Sequence, residues 1–197
     1  MNFLAHAYLS FNHSEVLVGN MISDFVKGKK KFEYSQGVQD GIYLHRQIDL
    51  FTDGHEATKE ARKFLKPAVG LYSGAFVDVA YDHFLANDLN EFTDLSLRDH
   101  AVNTYDVLIK YYQVLPAAFQ SMVPYMQSQN WLYNYKSLTG IQSSFGGVVR
   151  RARYLYSSQE AFDLFQKNYH SLQLCYNTFF PCVKEFSILQ FKQLTNK

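Results

Sequence analysis

Apolar side chains recur along this chain three and four residues apart, the spacing of one helix face, and long stretches lack the alternation of a half-buried strand. On that period the pattern predicts helices near 2–10, 14–28, 35–52, 55–66, 70–88, 96–114, 117–128, 138–152 and 158–193. The last should break near Pro181, because proline removes a helix N–H and crowds the preceding turn. Asn12, the stretch from Gly28 to Phe32, and Asp53–Gly54 read as turns. No repeat, low-complexity linker or shift in composition marks a boundary. The expected architecture is therefore all-α: a single-domain helical bundle over residues 1–197, HD-domain-like by the resemblance given below, without simple up-down symmetry.

Several polar residues fall where this periodicity expects apolar ones. At ~100° per residue along 70–88, Asp78 and Asp82 land in the sector of Leu71, Ala75, Leu85 and Ala86, and His83 lands beside Tyr72, Phe76 and Val79. Two carboxylates one turn apart repel, and burying them is costly unless a metal ion, an arginine or a hydrogen-bond network neutralises them. The plain alternative is that both face solvent. Residues 36–53 repeat the pattern: His45 and Asp49, spaced i and i+4, share a sector with Val38, Ile42 and Thr52, with Arg46 and Asp53 at its edge. An imidazole and a carboxylate on one face suit Mn²⁺, Fe²⁺ or Zn²⁺, and equally a structural hydrogen bond. His6 lies in the apolar stretch from Phe3 to Leu9, and Asp24 lies one turn after Asn20 in another. Four helices thus each offer His or Asp on a largely apolar face, which is how bundles build metal sites. Imidazole and carboxylate without cysteine favour hydrolytic metal chemistry over structural zinc.

Composition narrows the classes. A hydrophobic fraction of 47% is that of a globular chain. Lys+Arg 19 against Asp+Glu 18 gives net +1, which argues against a general nucleic-acid binder. Cys175 and Cys182 make neither a disulfide framework nor a four-ligand zinc site, and read as reduced packing residues of a cytoplasmic protein. The residues from Met1 to His6 lack the basic start of a signal peptide, and no apolar run approaches the ~18 residues of a spanning helix, so no membrane partner is expected. The near-zero total hides segregation. Residues 78–106 carry seven acids and only Arg98, whereas 107–159 carry no acid and five basic residues, Lys110, Lys136, Arg150, Arg151 and Arg153. Such a distribution can steer an anionic partner, or can be ordinary surface solvation. No G-x-G-x-x-G, P-loop, G-x-S-x-G or H-E-x-x-H is present. Trp131 to Lys136 offers either a stacking surface or an exposed amphipathic edge.

Motifs then point to a family. Asn2-Phe3-Leu4-Ala5-His6, Gly19-Asn20, Ser23-Asp24-Phe25-Val26-Lys27-Gly28, Gly41-Ile42, Leu44-His45-Arg46, Ile48-Asp49, Phe51-Thr52-Asp53-Gly54-His55, Asp78-Val79 and Tyr81-Asp82-His83-Phe84-Leu85-Ala86 resemble the acyl carrier protein phosphodiesterases. Trp131 to Arg153, with Ile141-Gln142 and Arg150-Arg151, resembles the family as well. This family is a divergent relative of the HD-domain phosphohydrolases, although the doublet here reads Asp82-His83 rather than His-Asp. The resemblance implies an all-α HD-like bundle and a place in fatty acid biosynthesis and lipid metabolism. The implied reaction is metal-dependent hydrolysis of the phosphodiester joining 4′-phosphopantetheine to a serine of holo-acyl carrier protein. Mn²⁺ is the expected metal, with Mg²⁺, Fe²⁺ or Zn²⁺ as alternatives. On this reading Asp24, His45, Asp49, Asp78 and Asp82 surround the metal, and His6 and His83 are ligands or orient them. Arg46 would hold a phosphate oxygen, and Asp53 or His55 would manage a proton. Lys27, Lys29, Lys30, Lys31, Arg150, Arg151 and Arg153 would meet the acidic acyl carrier protein. The competing readings are a metal-dependent phosphohydrolase acting on a nucleotide or another phosphodiester, and a non-catalytic helical module that binds an acidic protein.

Overall fold

The computed structural model describes residues 1–195; the last two residues of the expected 1–197 domain lie outside the described residues. Helices account for the chain, and there is no strand among the described residues. The α-helices are α1 (Phe3–Tyr8), α2 (Ser14–Ile22), α3 (Gln36–Gly54), α4 (Glu56–Val69), α5 (Ser73–Ala86) and α6 (Asp94–Lys110). They continue with α7 (Ala117–Gln120), α8 (Val123–Ser128), α9 (Trp131–Asn134), α10 (Leu138–Arg151), α11 (Gln159–Lys167) and α12 (Tyr169–Thr195). Short 3₁₀ turns at Ser23–Phe25, Gly28–Glu33, Gly70–Tyr72 and Tyr112–Val114 join them.

The all-α expectation holds, and the boundaries differ for local reasons. The helix expected over 14–28 stops at Ile22 and tightens into the Ser23–Phe25 turn, and the chain then reaches Gly28 at φ 59°. The segment expected as 70–88 opens with a 3₁₀ turn that leaves Leu71 98% exposed, so Leu71 does not share the buried environment of Leu85. The 117–128 segment divides into α7 and α8, with Pro124 in the first turn of α8, where its missing N–H costs nothing. The 158–193 segment breaks at Asn168 rather than at Pro181. The Asn168 side chain donates to the Leu164 carbonyl and caps α11, whereas Pro181 lies inside α12 on its exposed side. There the carbonyl that loses its helix partner belongs to exposed Asn177 and is solvated.

One continuous core runs through the chain, from Met1 to Val183. Its centre is α5, buried nearly all round from Phe76 to Ala86, and packed against α1, α4, α10 and α12. A helix apolar on every side is an interior helix, and this is why Asp82 and His83 are buried although they lie on different sectors of α5. Helices α2 and α3 pack in direct backbone contact. A Cβ placed on Gly19 would lie 2.0 Å from the Val38 carbonyl oxygen, and one on Gly41 would lie 2.2 Å from that of Val16. Backbone meets backbone there, and only glycine permits it. Gly41→Ala should lower stability by about 1–3 kcal/mol through overpacking, read as the midpoint of urea unfolding. Gly54→Ala, with nothing within 4 Å of its Cβ, should leave the midpoint unchanged or higher.

Candidate metal centre

The crossing of α2 and α3 sets Asn20, beside Gly19, against His45, one turn after Gly41. His45 Nδ1 lies 2.7 Å from the Asn20 carbonyl oxygen, so Nδ1 carries the hydrogen and donates it. Asn20 also holds His6. Its amide nitrogen donates to the His6 carbonyl at 2.9 Å and to Ser10 Oγ at 3.0 Å, which leaves Oδ1 to accept from His6 Nδ1 at 2.7 Å. One residue therefore orients both imidazoles. They stack with ring centroids 3.9 Å apart, and both Nε2 atoms point at Asp49. His6 Nε2 lies 3.2 Å from Asp49 Oδ1, and His45 Nε2 lies 3.1 Å from Asp49 Oδ2.

Helix α1 reaches this position through Asp82. Its carboxylate accepts from the backbone N–H groups of Asn2 (3.2 Å), Leu4 (2.7 Å) and Ala5 (3.3 Å), the donors that a helix start leaves unpaired. The side chain is fully buried. Burial pushes its carboxyl up to about 7, against the nearby terminal ammonium and the three N–H donors that pull it down. Asp82 thus binds α1 to α5, and its oxygens are committed to the backbone. Asp24, in the Ser23–Phe25 turn, comes within 3.3 Å of His45 Nε2. Asp78, on α5, pairs with the Met1 ammonium at 2.9 Å, and that ammonium also lies 3.8 Å from Asp49. The imidazoles are 4% and 7% exposed, whereas Asp49 is 41% and Asp24 78% exposed, so the cluster opens to solvent on its carboxylate side.

The electrostatics favour a cation. Burial alone would lower the His45 pKa, but Asp24 and Asp49 raise it to about 9. Burial and the charge of His45 push His6 down. Burial opposes ionisation of Asp49, yet the two imidazoles and the terminal ammonium hold its carboxyl far below the usual range. Hydrogen bonding to His45 holds Asp24 low as well. His6 Nε2 is buried without a hydrogen-bond partner and faces a carboxylate oxygen, lone pair against lone pair. A positive ion between them removes that conflict. Ligand atoms of His6, His45 and Asp49 lie within 4.8 Å of one another, and each imidazole is fixed through its other nitrogen, as metal-binding histidines are. The residues present thus fit a divalent ion held by His6, His45 and Asp49; Asp24 touches the cluster at His45, and Asp78 adjoins it through the Met1 ammonium.

The other expected site residues are elsewhere. His83 points away, with Nδ1 donating to the Tyr135 carbonyl at 2.7 Å and Nε2 accepting from the Tyr169 hydroxyl at 2.9 Å. Asp53 is drawn to the end of α3 by its ion pair with Arg62, and His55 caps α4 by accepting from Ala57 N at 3.2 Å. Both thus sit at the junction of α3 and α4. Arg46 is exposed and donates to the Val26 carbonyl at 3.0 Å, beside the turn that carries Asp24. Lys27, Lys29 and Lys30 are exposed on the segment that follows this turn, and Lys31 lies over the ring of Phe32 at 4.9 Å. Arg150 and Arg151 are exposed at the end of α10, and Arg153 lies 5.4 Å from the Tyr154 ring. The sequence did not reveal the double anchoring role of Asn20; its place beside Gly19 was the available signal.

Fold and cluster define an all-α protein with a mixed imidazole–carboxylate centre assembled from facing helices. Comparison with known proteins places it more closely. A family model described as acyl carrier protein phosphodiesterase matches residues 1–183. The acyl carrier protein phosphodiesterase of Yersinia pestis is 32% identical over 92% of this chain and 94% of its own. That of Klebsiella pneumoniae subsp. pneumoniae is 30% identical over the same shares, and that of an Escherichia coli O45:K1 strain is 28% identical over 94% of this chain and 96% of its own. No solved structure matches. The chain belongs to the acyl carrier protein phosphodiesterase family, and is a hydrolase acting on a phosphodiester bond. No helix among the described residues is long and apolar enough to cross a membrane.

Because His45 must shed a proton that it otherwise holds up to about pH 9, metal uptake at neutral pH should release close to one proton per ion and weaken as pH falls. Calorimetry of Mn²⁺ binding in two buffers of different ionisation enthalpy reads this directly. Asn20→Ala should weaken binding about 10- to 100-fold. Binding without proton release would contradict the assignment.

Proposed function

We propose that this protein removes the 4′-phosphopantetheine arm from holo-acyl carrier protein. A water oxygen attacks phosphorus, the bond from phosphorus to the serine oxygen breaks, and that oxygen leaves with a proton as the serine hydroxyl. The products are apo-acyl carrier protein and 4′-phosphopantetheine. The observation that carries this reading is the convergence of His6, His45 and Asp49 in a chain of this family. We place the reaction in the cytoplasm, within lipid metabolism, on one HD-like domain over 1–197.

A divalent ion, Mn²⁺ first among candidates, would supply positive charge against the phosphate and lower the pKa of water toward ~7. His6 and His45 hold their Nε2 atoms toward the site through Asn20. Asp49 lies between them, and Asp78 pairs with the Met1 ammonium that also adjoins Asp49. Asp24 is the most exposed of these acids, and would take the proton from the attacking water. Arg46, tied by one N–H to the Val26 carbonyl, keeps further donors of its planar fork for a phosphate oxygen.

The basic residues support a protein substrate. Lys27, Lys29 and Lys30 follow the Asp24 turn, whose Phe25 ring lies 5.2 Å from Phe119; Phe119 lies 6.3 Å from Phe3, and Phe3 6.5 Å from Trp131. This aromatic path links the lysine segment to the cavity that Arg150 and Arg151 line. An acidic partner spanning both would be steered by their field, more weakly as salt rises.

Incubation with holo-acyl carrier protein and Mn²⁺ should release the arm, seen as a loss of mass, and Asp49→Asn should cut kcat by about 100-fold or more (~2.7 kcal/mol). An intact substrate, with nucleotide phosphodiesters cleaved instead, would refute the substrate assignment. Wild-type kcat/KM should fall with ionic strength, and the Arg150→Ala/Arg151→Ala double variant should raise KM and flatten the salt dependence. A flat wild-type profile would remove the docking surface from this reading.

A further inference from the structure

A cavity of about 370 Å³ lies between the start of α1, α9 and α10, and only its arginine rim has been given a part in the reaction above. Its size is that of a small-ligand site, ~300–1,000 Å³. Asn2 belongs both to it and to the neighbourhood of the metal centre. The Asn2 N–H donates to Asp82 at 3.2 Å and its side-chain amide donates to the Tyr135 hydroxyl at 3.0 Å, while Met1 before it touches Asp78 and Asp49. The cavity therefore begins one residue from the carboxylates. Trp131 and Phe3 form an apolar wall, with rings 6.5 Å apart. Facing them, α10 presents Ser143, Ser144 and Gly147, whose small side chains leave the space open and bring hydroxyls to it. No carboxylate lines the cavity among the described residues, and its two charged residues, Arg150 and Arg151, make no ion pair there. Such a lining rejects a cation, and a purely hydrocarbon ligand would leave its hydroxyls and amides unpaired. It suits a slender neutral chain of amide groups whose anionic end stays outside.

We propose that this cavity receives the pantetheine portion of the substrate arm, two amides ending in a thiol, while the phosphate stays at the His6–His45–Asp49 cluster. This rests on the reaction proposed above. The arm passes Asn2, stacks its apolar carbons on Trp131 and hydrogen-bonds its amides to Ser143, Ser144 and Asn134. The small side chains of α10 are then a specificity device, keeping a channel that larger residues would close.

The test uses Trp131, the one tryptophan of the chain, as reporter. The Mn²⁺-loaded protein titrated with pantetheine, which carries no phosphate, should show a saturable change in Trp131 fluorescence. Gly147→Leu fills the cavity; the only atom near its Cβ is an Arg150 side-chain nitrogen at 3.5 Å, so the fold should tolerate it. This variant should bind pantetheine at least about tenfold more weakly and raise KM for holo-acyl carrier protein, with Mn²⁺ binding unchanged. Gly146→Leu, whose residue lies outside the cavity and whose Cβ meets only Arg150 at 3.7 Å, should behave as wild type. No saturable signal in the wild type, or equal pantetheine affinity and equal KM in Gly147→Leu, would overturn the proposal and leave the reaction standing. Failure of the wild type to cleave holo-acyl carrier protein would overturn the reaction instead, and the pantetheine titration would still decide the cavity.

Discussion

The contact between the backbones of α2 and α3 governs where the chemistry of this protein can occur. With glycine at positions 19 and 41, the helices approach until a Cβ on either would clash with a carbonyl oxygen at close to 2 Å. Asn20 follows the first glycine and His45 lies one turn beyond the second. The 2.7 Å hydrogen bond from His45 to the Asn20 carbonyl exists only at that separation. Asn20 then spends its amide on His6, Ser10 and α1, so both imidazoles are fixed by one residue before any ligand arrives. Such preorganisation lets a site bind without ordering its own side chains at that moment.

Charge is distributed with equal economy. The acids of this region divide into one that builds and several that face outward. Asp82 gives its oxygens to three backbone N–H groups and seats α1 on α5, which delivers His6. Asp24, Asp49 and Asp78 keep oxygens for positive groups, here the imidazoles and the Met1 ammonium. Carboxylates this close to one another persist only with cations among them, and the high pKa of His45 expresses the same demand.

Much of this was legible before the structure. The helical period gave the fold class, because amphipathic helices such as α4 and α10 carry a strong apolar stripe. His45 and Asp49 were legible because i and i+4 positions share a face. Asp82 and His83 were rightly marked as polar residues in apolar surroundings, but α5 is buried on all sides, so periodicity could not tell which neighbour each meets. One turned out to cap α1 and the other to bond Tyr135 and Tyr169. Asp53 and His55, marked by their place in a motif, lie at the junction of α3 and α4, whose contacts the motif did not reveal. The break at Asn168 and the unbroken helix through Pro181 depend on which face meets solvent, a tertiary property that no single residue announces.

The central claim is that His6 and His45 converge through Nε2 on one divalent ion beside Asp49. Electron spin-echo modulation of the Mn²⁺-loaded protein tests it most directly, because directly bound imidazole nitrogens imprint their own frequencies on the manganese signal. Modulation from two imidazoles is expected, reduced to one in His6→Gln and in His45→Gln alike. Manganese bound with no nitrogen modulation, or a signal that neither substitution alters, would contradict it.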